Sequence, residues 1–173
     1  MANFYGKYRG TVINNIDPER KGRLQVQVPD VSNVIPTTWA MPCLPWAGLQ
    51  MGMYLIPPIG AGVWVEFEQG DPDYPIWVGC WWGTTAETPS LGSGLSTPGT
   101  PVVVMQSLSQ SAIVLSDVPI PPMQGPGVML ISGASSITID ASGVTITAPT
   151  ITLTGAVNIT GTTNINAGAL VVT

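Results

Sequence analysis

Alternating runs mark four segments of the N-terminal half: Gly10–Ile13, Arg23–Val28, Gly62–Glu68 and Ile76–Gly79. A period of two with β-branched and aromatic residues predicts half-buried strands. Turn-forming pairs separate them: Asp17-Pro18, Lys21-Gly22, Pro57-Pro58 and the Gly70–Pro72 triplet. About five short strands in residues 1–83 predict a small closed barrel, because closure removes exposed sheet edges. Residues 84–100 (TTAETPSLGSGLSTPGT) have the composition of a linker.

A different pattern governs residues 101–173. Two apolar runs, Val102–Met105 and Ala112–Leu115, are followed by a Pro-rich stretch and a third run, Val128–Ile131. Short triplets then repeat: Ile137–Ile139, Val144–Ile146, Ile151–Leu153, Val157–Ile159, Thr163–Ile165 and Leu170–Val172, with Gly, Ala, Ser, Asn or Pro between them. Their first residues step by 7, 7, 6, 6 and 7. Each unit predicts one short strand with inward apolar ends, an outward polar centre and a tight turn, the repeat of a β-helix. The inward stripe is Ile137, Ile139, Val144, Ile146, Ile151, Leu153, Val157, Ile159, Ile165, Leu170 and Val172. A one-chain β-helix uses about 18–25 residues per coil and about three coils, more chain than residues 137–173 provide. Three intertwined chains, each supplying one face per level, solve the problem by symmetry. The repeat therefore predicts a homotrimeric needle, with Thr138, Thr145, Thr152, Asn158 and Asn164 facing outward.

Charge sharpens this picture. Only 9% of the 173 residues are charged, against about 25% in an average domain. All five bases fall in the first 23 positions, and the net charge is −5. The basic segment fits either an acidic partner or a solvated hairpin edge. The remainder carries no basic stripe with which to displace counterions from phosphate, which argues against nucleic acid as a partner. Residues 88–173 contain only Asp117 and Asp140 as charged side chains. A neutral Thr/Asn surface suits passage through hydrocarbon, where each charge is costly, and equally suits stacked strands that avoid like-charge ladders. No run of about 18 apolar residues predicts a membrane-spanning helix. The N-terminus lacks the apolar core of a secretion signal, which predicts a protein made in the cytoplasm that stays there or leaves by a route other than ordinary secretion. Two cysteines, Cys43 and Cys80, make no disulfide framework and read as buried thiols.

Catalytic chemistry finds little support. The chain has no histidine, which removes Ser-His-Asp and Cys-His arrangements. No metal-ligand spacing stands out among the carboxylates and thiols, and no cofactor is implied. Glu66 and Glu68 share the outer face of one predicted strand, while Asp71 and Asp73 lie in a turn where Asp is a common former. Neither pair has the setting of a glycosidase dyad. Six Trp, all within the first 83 residues, leave a glycan- or single-strand-binding barrel as one alternative. A trimeric tail fibre or adhesin stalk is another.

The ordered segments Tyr8–Val12 (YRGTV), Asp17–Pro29 (DPERKGRLQVQVP), Trp39–Pro42 (WAMP), Pro58–Phe67 (PIGAGVWVEF) and Gln69–Gly79 (QGDPDYPIWVG) resemble the oligonucleotide/oligosaccharide-binding (OB) barrel of the phage baseplate assembly protein V family. Residues 102–173, with the strand Ile113–Asp117 (IVLSD), resemble that family's C-terminal β-helical needle. The resemblance extends to spikes of type VI secretion and other contractile injection systems. It implies a central spike at the baseplate of a virion tail or injection particle, driven through the target envelope on sheath contraction. It implies an OB-fold barrel that serves as hub, a separate tube-adaptor protein, transient contact with the target membrane and no enzyme activity. Tyr74, Trp81 and Trp82 are candidates for contact with the adaptor or with the neighbouring protomer. No lysozyme domain is inserted between barrel and needle, and a histidine-bound iron tip is ruled out by composition. The apolar ending at Leu170, Val172 and Thr173 points to a platform for a separate pointed cap protein. Trimerisation is the first property to measure: native mass is expected at three times the 18.1 kDa chain, and a monomeric mass would remove the basis for a needle.

Overall fold

The computed structural model describes residues 3–94 and 97–161. The protein is built mainly of strands, and the chain divides into two units between Thr88 and Pro89.

The first unit contains strands β1 (Tyr8–Asn14), β2 (Gln25–Gln27), β3 (Met41–Pro42), β4 (Ala47–Gly48), β5 (Met51–Gly52), β6 (Gly62–Phe67) and β7 (Pro75–Trp81). The main sheet runs β2-β1-β6-β7-β3, with β3 parallel to β7 and the other pairs antiparallel. Leu24 and Ala40 exchange backbone hydrogen bonds of 3.1 and 2.7 Å, and Thr37 N–H donates to the Val26 carbonyl at 2.9 Å. The segment leading into β3 thus joins the free edge of β2, and the sheet closes into a barrel.

The alternation in the sequence appears directly as inside and outside. Val63, Val65 and Phe67 are buried with Val12, Leu24, Val26, Val28, Ala40 and Trp77. Phe4, Tyr8 and Phe67 meet with ring centroids 5.7–6.1 Å apart at one end of this core. Trp77 donates from Nε1 to the Gly22 carbonyl at 3.0 Å, which satisfies its only polar side-chain atom inside the core. Glu66 points outward and pairs with Lys7 at 2.5 Å, and Glu68 begins the turn after β6.

Strand β7 carries a bulge. Val65 opposes Trp77 while Trp64 opposes Gly79, leaving Val78 without a partner. The extra residue reverses the alternation. Trp77 points into the core, and Trp81, four residues on, lies on the outer face over Gly62. A Cβ on Gly62 would sit 2.6 Å from the Trp81 ring, so only glycine permits this packing.

The loop between β1 and β2 is held by Asp17. Its side chain is only 3% exposed and bridges Arg23 Nη2 at 2.7 Å, while it accepts backbone N–H groups from Glu19 and Lys21. Arg23 also lies over the Trp39 ring, 5.6 Å from its centroid. The hydrogen bond from Arg23 and those from the backbone hold the Asp17 carboxyl far below the ordinary carboxylate range.

Cys43 and Cys80 are free and lie at the surface, not in the core as their residue type predicts. Both sit where a strand leaves the barrel: Cys43 just after the two-residue β3, and Cys80 next to the end of β7.

The second unit is an antiparallel meander of β8 (Val102–Gln106), β9 (Ala112–Ser116), β10 (Gly127–Ser132), β11 (Ser135–Asp140) and β12 (Gly143–Thr147), adjacent in chain order. Two-residue loops join β10 to β11 and β11 to β12. Gly133 supplies a positive φ of 57° in the first, a conformation that costs other residues. In the second, Asp140 accepts from the Ser142 backbone N–H at 2.8 Å. The first two repeat triplets, expected as successive rungs between chains, therefore find partners within their own chain. Ile137 faces Ile146 and Ile139 faces Val144.

Residues 148–161 continue without forming a strand, and Ile151, Leu153, Val157 and Ile159 are exposed there. Ile165, Leu170, Val172 and Thr173 lie outside the described residues. No helix among the described residues is long and apolar enough to cross a membrane.

Asp17 yields a pH test. A carboxyl whose folded pKa is depressed stabilises the fold above its unfolded pKa, and that contribution is lost as pH falls towards the folded value. The melting temperature is expected to drop on acidification below about pH 4. Asp17→Asn is expected to melt lower at neutral pH and to show a shallower acid slope. Equal slopes for the two proteins would mean that Asp17 does not govern acid stability.

Candidate trimer interface

The meander of the second unit has two faces, and strand alternation assigns every side chain to one of them. On one face Ala112, Val114 and Met129 are buried beneath Ile120 and Met123 from the β9–β10 connection. That connection is tied to β11 where Gln124 N–H donates to Asp140 at 2.9 Å. This bond and those from Ser142 hold the Asp140 carboxyl below its ordinary pKa, the Ser142 hydroxyl having the largest effect. Thr138 lies on this covered face with only 5% exposure. It is not the solvent-facing centre of a rung that the repeat predicts, because the connection folds back over it.

The other face carries two rows of apolar side chains set by the strand register. Val103, Leu115, Val128, Ile139 and Val144 form one row across the five strands. Met105, Ile113, Leu130, Ile137 and Ile146 form the second. All ten remain exposed in the single chain, from 37% at Val128 to 65% at Val144. Residues Ala148–Ile151 border the second row and turn it into an open groove of about 730 Å³. No ionisable residue stands in either row.

Soluble monomers rarely expose contiguous apolar patches beyond a few hundred Å². Covering the exposed half of ten such side chains contributes about 10 kcal/mol per chain. Association costs about 4–15 kcal/mol. The two rows alone thus bring association near balance, and the exposed Ile151, Leu153, Val157 and Ile159 add to the favourable side.

Of the apolar stripe read from the repeat, Ile137, Ile139, Val144 and Ile146 lie together on this face. The six residues from β8, β9 and β10 extend it beyond what the repeat predicts. Their signal is the all-apolar character of Val102–Met105, Ala112–Leu115 and Val128–Ile131, which marks strands covered on both faces.

The three aromatic candidates for an adaptor contact do not form one cluster. Tyr74 is exposed at the turn that precedes β7. Trp81 and Trp82 lie at the opposite end of that strand. Trp82 is exposed, whereas Trp81 is half covered, its Nε1 donating to the Val63 carbonyl at 3.2 Å. Arg9 lies over both Trp81 and Trp64, 5.2 and 5.7 Å from their ring centroids. Among the described residues no group of three or more His, Cys, Asp or Glu is placed to hold a metal ion.

Two family models match the chain. One, described as the type VI secretion system/phage-baseplate injector OB domain, matches residues 8–82. The other, described as the phage baseplate V C-terminal trimerisation domain, matches residues 102–171. The second match coincides with the sheet that bears the two bare rows.

A charge in the middle of the second row tests the interface. Leu130→Asp would gather like charges where apolar rows meet, and light scattering is expected to show monomers with the β-rich circular dichroism retained. Val34→Asp, at an exposed position of the barrel, is expected to stay trimeric. A trimer that tolerates Leu130→Asp would place the interface elsewhere.

Proposed function

The chain belongs to the phage baseplate V family, a family of structural baseplate proteins, and we propose that its homotrimer is the central spike of a contractile tail or injection machine. In this reading the barrel is the hub that joins the spike to tube-side baseplate proteins, and the second unit is the root of the needle. Residues 148–161 wind with their two copies into an intertwined β-helix. The trimer pierces the target envelope when the sheath contracts, and it acts mechanically without catalysis.

The observation that carries the reading is the bare, uncharged double row of the second unit, followed by exposed apolar residues at the spacing of the repeat. Among the described residues nothing within one chain buries Ile151, Leu153, Val157 and Ile159. Two further copies supply both the missing core and the missing strand partners. The outward residues Thr152 and Asn158 leave the surface of this segment neutral, which lowers the cost of crossing hydrocarbon. Tyr74 and the N-terminal residues packed near Gly70 mark one end of the barrel, the end opposite to the exit towards the needle. That end is the side assigned to the adaptor protein.

Particles assembled with a tag in the Leu108 loop provide the test. Electron microscopy is expected to place the tag at the baseplate centre, below the tube; a tag along peripheral fibres overturns the spike reading. In such particles Thr152→Lys with Asn158→Lys is expected to leave adsorption to target cells unchanged and to lower delivery. Loss of adsorption instead would identify an adhesin.

A further inference from the structure

The barrel carries a second apolar surface, separate from the sheet rows. Between β3 and β6 the chain projects the hairpin β4–β5, with Leu49 and Gln50 at its tip. Leu49 is 93% exposed, and Trp46, Met51 and Tyr54 are also exposed. Its own ladder ends where Met53 N–H donates to the Trp46 carbonyl at 3.1 Å, closing the ribbon on itself. A two-stranded ribbon this short is marginal in water without a neighbour. Residues 31–65 contain no Asp, Glu, Lys or Arg, so none of the charges that commonly protect exposed apolar strands is present here.

Strand polarity fixes where this hairpin stands on the barrel. Gly62, which opens β6, faces Trp81, which closes β7. Pro57, just after the hairpin, accepts from Asn15 Nδ2 at 3.0 Å, and Asn15 follows the end of β1. The hairpin therefore rises from the same end of the barrel as Trp81, the end from which the chain leaves towards the trimerisation domain. The charged loop at this end makes its ion pairs internally, Asp17 and Glu19 with Arg23, and Glu19 with Lys21.

We infer that the three hairpins of one trimer converge on the threefold axis and form a second, barrel-level interface between copies of this chain. The inference rests on the homotrimer of the proposed function. Residues 82–101 tether each barrel to a segment shared by all three chains. A tether of that length holds the copies at millimolar effective concentration, so even a weak apolar contact closes. A copy of this chain is the occupant favoured by charge: the hairpin offers no sign for an oppositely charged partner to read, whereas an uncharged apolar surface meets its own copies without repulsion.

The test uses the full chain carrying C43S, C80S and Leu49→Cys, first shown to be trimeric by light scattering. A short-armed bismaleimide is expected to link most chains into dimers and trimers, in a ratio unchanged on dilution. Asp73→Cys, placed in the C43S, C80S background at the opposite barrel end, is expected to remain unlinked. A trimer whose introduced hairpin-tip thiol stays unlinked and accepts a bulky maleimide overturns the inference and leaves the spike reading standing. Equal linking at both positions also overturns it, since proximity would then not be specific to the hairpin. A chain that is not trimeric at all removes the proposed function first and this inference with it.

Discussion

A β-sheet has two faces, and the described residues of this chain cover only one face of the C-terminal sheet. The β9–β10 connection supplies Ile120 and Met123 for one side. No other described segment of the chain buries the side of Val128 and Leu130. Apolar rows left in water are unfavourable roughly in proportion to their area. Trimerisation is therefore the completion of a fold that one chain cannot finish. Membership of a family with a trimerisation domain over the same residues agrees with that physical reading.

The barrel answers the same problem by the opposite route. It closes on itself through the segment that follows β2, buries its core and fixes its β1–β2 loop with the Asp17–Arg23–Trp39 arrangement. On its outer face Arg9 lies over Trp64 and Trp81, and Lys7 pairs with Glu66. The ion pair is exposed and contributes little to stability; the packing of Trp81 on Gly62 has no such screening. A barrel that buries its own core, joined to a sheet with one bare face, suits a structural baseplate protein that trimerises through its second unit.

Much of this was legible in the sequence where one face of a strand is wet. Val63, Val65 and Phe67 alternate with Trp64 and Glu66, and the structure places them inside and outside accordingly. Ile137, Ile139, Val144 and Ile146 declare themselves in the same way. Alternation fails where a strand has both faces covered in the assembly, so Val103, Leu115 and Leu130 could not be assigned a side from the pattern. It fails again at Val78, where one unpaired residue sends Trp77 and Trp81 to opposite faces although their spacing is even. Thr138 was hidden for a different reason: its cover comes from residues 117–126, and a repeat in β11 and β12 carries no information about a connection outside it. The surface positions of Cys43 and Cys80 follow from where the short strands end, which residue type does not reveal.

The meander also decides the order in which the trimer comes into being. Its strands are adjacent in sequence and joined mainly by short loops, a topology of low contact order that forms without waiting for distant segments. Each newly made chain can thus pair these strands without a partner chain. Until it meets other copies it displays a sticky plane whose burial depends on protein concentration, and it is exposed to mispairing in the meantime. Correct trimers therefore depend on the local concentration of chains as well as on how fast each one folds.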